Sequence, residues 1–463
     1  MTSDTSHTDV HRSLGARHLV MLALGGVIGS GLFISSGYTI TQAGPLGTVI
    51  AYLVGALIAW MVMACLGELA VQYPESGGFH VYAYRAISPA AGFTTAWLYW
   101  LCWVAALGSE LTASGLLMQR WFPDVEVWVF CLVFAGVLFA INAVSVRGFG
   151  ETEFWLSLIK VAAIVVLIVV GFAAIAGLGP REATGLSNFV TDDGLFPTGA
   201  SGVFITILAV FYAFSGTELI AIAAGETRDP HTTIPRALKA TLLRLVVFFV
   251  GAIFVIAALI PFDRLKEIGG DESVENSPFV LVFDLVGIPY AGDIMAVVII
   301  VALLSAGNSG LYACSRLMYS MARAGQLPAA FGRTTAQGVP LLALSVSLAG
   351  GLIALVSSVV SPGAVYLALV SIAGFAVVAV WMVIIVSQMR LRATIDPTTL
   401  SYSTPGYPVV PIVALVACSL SLVAVAFDPN QVAALYFGIP FVLVCWGVHY
   451  VTIDRRGRRS PEA

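Results

Sequence analysis

Charge is what this 463-residue chain has least of: Asp, Glu, Lys and Arg make up 10% of it, against about 25% in a soluble globular domain. A chain so poor in charge cannot cover itself with a solvated shell, and its 59% of hydrophobic residues require an apolar surrounding. Cysteine is sparse as well. Cys65, Cys102, Cys131, Cys314, Cys418 and Cys445 fall in apolar stretches without CxxC spacing. Neither a disulfide framework nor a thiolate metal site is indicated, and small packing residues are expected. His7, His11, His18, His80, His231 and His449 are scattered, mostly near span ends. The formal net charge of −4 points to no partner, because Asp263, Glu267, Asp271, Glu272 and Glu275 read as ordinary solvated loop surface. No metal, no cofactor, no nucleic acid and no enzyme chemistry is expected, since no nucleophile stands beside a base.

What is present in abundance is long apolar runs. A bilayer core needs roughly 20 consecutive apolar residues per helix, and by that rule twelve spans are expected: 19–40, 46–72, 90–118, 126–146, 153–177, 199–224, 239–261, 278–320, 340–360, 364–389, 408–427 and 431–452. The eighth is long enough to contain a break or a tilt. The stretch before the first span is polar, so a cleavable signal is not expected. The positive-inside rule can be applied to all 22 Lys and Arg residues. Placing both termini in the cytoplasm puts seventeen of them inside, leaves Arg120, Arg181, Arg264 and Lys266 outside, and strands one, Lys160, within a span.

Two spans carry helix-weakening sequence near their middles. The first contains Gly25-Gly26-Val27-Ile28-Gly29-Ser30-Gly31 and the sixth Phe214-Ser215-Gly216-Thr217-Glu218; glycine costs a helix about 1 kcal/mol relative to alanine. Backbone that leaves the helix at membrane depth must be sheltered by protein or line a cavity. Gly-interrupted spans at corresponding positions of two halves are the mark of a repeat transporter, although small residues also serve plain close packing. The expectation is an all-α membrane protein of twelve transmembrane helices, with a 5+5 inverted repeat and broken helices 1 and 6. Its divisions are a cytoplasmic tail 1–18, a first repeat 19–177, a second 199–389, an added pair of spans 408–452 and a cytoplasmic tail 453–463. Freed amides at Gly29, Ser30 and Gly31 suit a carboxylate. Freed carbonyls at Val27, Ile28, Phe214 and Ser215, with Gly216 and Thr217 beside them, suit an ammonium. Together they describe an α-amino acid.

Ionisable residues within spans are functional hypotheses by default. Lys160 is deep enough to load and release a proton, unless it snorkels to the interface. Glu218 either holds the sixth span's break together or relays protons. Glu110, flanked by Gly108, Ser109, Thr112 and Ser114, should face the bundle interior, where it could read a substrate cation, take a proton or bond across helices. Glu226 is expected in an inner gate, and Glu68 as gate or packing residue.

From about Leu14 to Tyr450 the chain resembles the amino acid permeases of the amino acid–polyamine–organocation superfamily, in its amino acid transporter branch. The likeness rests on Gly25 to Phe33, Leu66-Gly67-Glu68-Leu69, Phe154-Trp155 with Lys160, Gly216-Thr217-Glu218-Leu219 with Gly225-Glu226, and Ser305-Ala306-Gly307-Asn308-Ser309-Gly310-Leu311-Tyr312. It implies a LeuT-like bundle with alternating access and a coupled proton in place of sodium. Lys160 matches the family's lysine, with Gly25 or Gly26 carbonyls and the polar group Ser305, Asn308 and Ser309 as its neighbours, and Phe214 matches the family's aromatic gate. Other stretches look like two branches, S-methylmethionine permeases (Phe79-His80-Val81-Tyr82) and arginine and ornithine permeases (Glu110, Met118 to Pro123). Both substrates carry a side-chain cation. This sequence departs from many relatives in having Ser30 where they carry Thr. The resulting expectation is a proton-coupled importer of a cationic amino acid or S-methylmethionine in the cytoplasmic membrane, working as a monomer at minimum. The alternatives are a neutral amino acid permease, an amino acid exchanger and, more remotely, a non-transporting sensor.

Overall fold

A computed structural model describes residues 25–74, 78–144, 146–178, 183–222, 230–268, 277–286, 289–396, 398 and 400–451. Both expected tails and the start of the first span therefore lie outside the described residues, as does Glu226. The regular elements among the described residues are helices. The first span restarts as α1 (Ser30–Phe33) and α2 (Ser35–Ala43). It is followed by α3 (Pro45–Gln72), α4 (Phe79–Ala86), α5 (Pro89–Met118), α6 (Val127–Val144) and α7 (Val146–Ile175). The sixth span comprises α8 (Gly199–Ile205), α9 (Ile207–Ala213) and α10 (Leu219–Ile222). Then come α11 (Pro230–Leu259), α12 (Phe262–Ile268), α13 (Pro278–Val286), α14 (Ala291–Arg323), α15 (Leu341–Gly351), α16 (Pro362–Arg392), α17 (Val409–Ala424) and α18 (Ala433–His449).

Helix starts follow local chemistry. Pro45, Pro89 and Pro362 open α3, α5 and α16, where a missing N–H costs nothing and the fixed φ is already helical. Ser88 caps α5 by accepting the Ala91 amide at 3.1 Å. Among the described residues, eight helices are long and apolar enough to cross a membrane, and Val127–Ala143, Gly199–Ala213 and Ala433–His449 are shorter apolar ones. The expected eighth span, 278–320, contains the break that its length allowed for. α13 ends at Val286, Tyr290 takes a left-handed φ of 60°, and the crossing helix begins only at Ala291. Pro289 supplies the reason, since it lacks an amide and disfavours the helical region for the residue before it. The seventh helix starts at Pro230 rather than 239, with a polar first third that hydropathy passes over.

α5 is the centre of the bundle: 89% of its apolar window is buried, against 28% for Glu153–Ile175. It packs along α14 and α16, while α3 lies along α11, and α7 lies against both α11 and α14. α17 and α18 pack on α16. The outer faces are apolar. Val133, Val137 and Ile141 on α6 recur every fourth residue and are 56%, 46% and 41% exposed, a stripe suited to lipid and not to water.

Polar ties close the ends. Where α3 and α16 finish, buried Glu68 accepts from Arg392 Nη1 at 2.6 Å, the Thr404 amide at 2.6 Å and Gln388 Nε2 at 3.0 Å. Beyond the other end of α5, Arg120 donates to Asp293 at 2.6 Å and in a bidentate pair to Asp284 at 3.1 and 3.2 Å. On the same side, Tyr38 of α2 donates its hydroxyl to buried Asp428, which also accepts Gln431 Nε2 at 2.5 Å; that amide group reaches the Ile205 carbonyl at 3.2 Å. The first two ties differ in burial: the Glu68 and Arg392 side chains are 4% and 13% exposed, whereas Arg120, Asp284 and Asp293 are 34% to 40% exposed. Arg392→Ala leaves a buried carboxylate without its cation and should cost about 3 kcal/mol. Arg120→Ala should cost about 1 kcal/mol or less, because solvent screens it. Thermal unfolding of both variants in one detergent checks this; equal losses would contradict it.

Candidate functional site at two helix breaks

Residues 25–27 are helical, Ile28 and Gly29 leave the helix, and α1 begins at Ser30. The restart exposes backbone amides that a continuous helix would have paired. The Ser30 amide donates to both oxygens of Glu110, at 3.0 and 3.1 Å, and Ser30 Oγ donates to Glu110 Oε1 at 3.1 Å. Glycine at 29 is a requirement of this approach: a Cβ there would stand 2.5 Å from Glu110 Oε1 and 3.1 Å from Ala306 Cβ.

The sixth span breaks over residues 214–218. Gly216 takes a φ of +97°, open to glycine at little cost. Its amide donates to Glu218 Oε1 at 2.9 Å, while Thr217 Oγ1 and Trp381 Nε1 donate to Glu218 Oε2, each at 3.4 Å. A Cβ on Gly216 would lie 3.1 Å from both the Gly26 carbonyl carbon and Val27 Cγ2, so the two breaks touch. Each break is thus held by one buried glutamate, 4% exposed for Glu110 and fully buried for Glu218.

Around Ser30 the network widens. Tyr212 of α9 stands 3.3 Å from Ser30 Oγ and 3.0 Å from Ser109 Oγ, and Tyr366 of α16 donates to the Ser30 carbonyl at 3.0 Å. Neither tyrosine was singled out by sequence. The available signal was a hydroxyl-bearing ring within an apolar run, two residues before Phe214 in one case.

On the other side of the first break, fully buried Lys160 donates Nζ to the Gly25 carbonyl at 2.5 Å and lies 3.9 Å from Glu153 Oε1. Ser305 of α14 donates to that same oxygen at 2.7 Å. The expected neighbours of Lys160 are therefore met in part. Asn308 accepts instead from Asn142 of α6 at 2.6 Å. Ser309 is buried, and its hydroxyl has no hydrogen-bond partner among the described residues. Glu153, missed as a site residue, joins α7 to α14; its i, i+7 spacing from Lys160 placed both on one helix face.

The remaining expected residues are positioned as follows. Val27, Ile28 and Gly31 are buried at the first break. The Phe214 ring packs on Phe249 and Tyr52, with centroids 5.1 and 6.2 Å apart; the sixth-span ring that meets Ser30 is that of Tyr212. Ser215 is half-buried, and the Phe214 carbonyl accepts Thr217 Oγ1 at 3.2 Å.

Helices interrupted inside an apolar bundle, with freed backbone groups held by buried ionisable side chains, define a multi-pass membrane transporter. The comparisons specify the class. The family model for amino acid permeases matches residues 18–460. A putative histidine permease of Bacillus subtilis (strain 168) is 48% identical over 96% of this chain and 94% of its own length. The amino-acid permease RocE of the same organism is 46% identical over 100% and 99%, and the lysine-specific permease LysP of Escherichia coli (strain K12) 38% identical over 97% of each. The chain belongs to the amino acid permease family of the amino acid–polyamine–organocation superfamily.

The two glycines should respond differently to a methyl group. Gly29→Ala puts a methyl group into the space through which an acid group reaches the Ser30 amide and should weaken amino acid binding by about tenfold, the equivalent of roughly 1.4 kcal/mol. Gly216→Ala strains a left-handed position and should act mainly on thermal stability, by about 1 kcal/mol or more. Binding by scintillation proximity and melting in detergent separate the effects; unaltered binding in Gly29→Ala would show that the Ser30 amide is not part of the site.

Proposed function

We propose that the protein imports an amino acid with a cationic side chain together with a proton, across the cytoplasmic membrane, by alternating access. Twelve spans with both termini in the cytoplasm, grouped as repeats 19–177 and 199–389 with 408–452 added, account for the packing. Exchanging the two repeats turns the α5–α16 contact into α14–α7, and α7–α11 into α16–α3; both members of each pair occur.

The observation that carries the substrate reading is the carboxylate at Ser30. That amide, at the first break, already holds an acid group, which supports it as the place for a substrate carboxylate. Glu110 and the substrate carboxylate cannot share it. Binding therefore moves Glu110 aside, where its charge is available to the cationic end of the ligand, and the relatives named for histidine and lysine fit such a preference. The substrate ammonium goes to the carbonyl ends at Val27, Ile28, Phe214 and Ser215, with Phe214 leaving its apolar seat to close the site and Glu226 acting in the inner gate. Gly31, Gly216 and Thr217 complete the lining. The proton acts through the Lys160 contact with Gly25, which ties α7 to the first span; Glu218, Ser305, Asn308 and Ser309 support that region.

Two measurements test this reading. Lys160→Ala in proteoliposomes should abolish the pH dependence of uptake, and an intact pH dependence would refute coupling at this site. Glu110→Gln should weaken lysine, arginine or histidine in a competition panel about tenfold more than neutral amino acids, roughly the worth of one charge-assisted contact. Equal losses would make Glu110 a brace for the break and nothing more. Net uptake under a pH gradient, set against counterflow without one, separates symport from exchange.

A further inference from the structure

We propose that an anionic phospholipid head group binds in the cleft between α4, the first turn of α5, the connection that follows α14 and the last turn of α18. The cleft encloses about 850 Å³, within the range of small-molecule sites. Its lining shares no residue with either helix break, and the proposal stands whether or not transport is coupled to a proton. Tyr84 of α4, Ala90 of α5, Gly325 beyond α14, and Trp446, His449 and Tyr450 at the end of α18 come together there. The stretch Phe79-His80-Val81-Tyr82, which resembles S-methylmethionine permeases, opens α4, and its His80 and Val81 line this cleft. The walls are fixed by close packing. A Cβ on Gly92 would stand 2.7 Å from Tyr84 Cβ and 2.9 Å from the His80 carbonyl oxygen, so α4 lies directly on α5. The His449 ring rests 5.6 Å from that of Phe93 in α5.

Position selects a lipid. Ile439, Leu443, Trp446 and Tyr450 are all exposed, and their spacing of four, three and four residues puts them on one face of α18. That face passes from aliphatic to aromatic as it reaches the cleft, which is the order of side chains from the hydrocarbon to the head-group level of a bilayer. An acyl chain lying along Ile439 and Leu443 delivers its head group to the cleft.

Charge selects the head group. Among the described residues no carboxylate lines the cleft. Arg85 and Arg323 are the chain neighbours of Tyr84 and Ala324, and Arg390 Nη1 donates to the Ala86 carbonyl at the end of α4 at 3.4 Å. Arg455, Arg456, Arg458 and Arg459 follow Tyr450 in the sequence, and a run of arginines directly after a membrane helix is a mark of attraction to anionic lipid. The start of α5, a helix of 30 residues, adds the positive end of its dipole. Aromatic walls also suit a quaternary ammonium, but this surrounding charge opposes such a head and favours a phosphodiester. The hydroxyls of Tyr84 and Tyr450 and the ring N–H of His449 are donors for its oxygens. A head group seated there joins α4 to α18 across the start of α5, the central helix of the bundle.

The test uses the full-length protein, stripped of lipid in detergent and offered phosphatidylglycerol or phosphatidylcholine with identical chains. Native mass spectrometry counts the lipid retained. Wild type should hold phosphatidylglycerol about fivefold more strongly than phosphatidylcholine, the worth of roughly one basic contact near a membrane surface. Ala90→Glu sets a carboxylate in the first turn of α5, where it favours the helix and repels an anion; Ala90→Gln matches its size without the charge. Ala90→Glu should melt no lower than wild type in the absence of lipid and lose the preference for phosphatidylglycerol, while Ala90→Gln keeps it. Trp446→Ala should lower retention of both lipids. Equal retention of the two lipids by wild type, or an intact preference in Ala90→Glu, would overturn the proposal. A preference lost equally in Ala90→Gln would show selection by shape and remove the anionic reading. Unchanged retention in Trp446→Ala would put the lipid on the basic surface outside the cleft and refute the site.

Discussion

A helix broken in hydrocarbon leaves backbone amides that no water can satisfy, at a cost of several kcal/mol for each group left alone. Here the debt is met twice in the same way: Glu110 takes the amide of Ser30 and Glu218 that of Gly216. A carboxylate is the strongest acceptor a side chain offers to an amide. It is also the acceptor most sensitive to surrounding charge, so in the proposed cycle the groups that keep the breaks intact are the ones a ligand or proton would act on. Structural necessity and functional opportunity fall on the same two residues.

The first span is the part most affected. Within six residues it is gripped from two sides, by Lys160 at the Gly25 carbonyl and by Glu110 at the Ser30 amide. Neither grip closes a regular helical bond, so a change in either moves this short segment without unwinding a longer helix. Tyr212 and Tyr366 add neutral bonds to Ser30, fixing the position of the break while leaving its charge balance to the acids and the lysine.

Much of this is legible in the chain before any coordinates. Four glycines in seven residues can hardly sit at membrane depth for helix stability, and a lone lysine among Leu, Ile and Val announces a partner. What sequence could not provide is pairing across distance. Nothing in the order of residues says that Glu110 reaches residue 30 eighty positions earlier, or that Asn308 turns to Asn142 while Ser305 turns to Glu153. Span ends failed where polarity and helicity part company. The first third of α11 is helical but charged, whereas 278–290 is apolar yet is interrupted near Pro289. The small helices α4 and α12 went unseen because a hydropathy window measures transfer into lipid and is blind to short amphipathic turns.

The tie between Tyr38, Asp428 and Gln431 gives the last two spans a bearing on the rest. They lie outside the proposed repeats and, among the described residues, contribute none to either break, yet the turn between them is hydrogen-bonded to α2 and to the carbonyl of Ile205, in one segment of each broken span. Without α17 and α18 the chain would keep every residue of the candidate site and lose the fixture that registers those two segments against each other. The added pair is therefore better regarded as a jig than as an appendage: it sets where one half of each interrupted helix stands against the other.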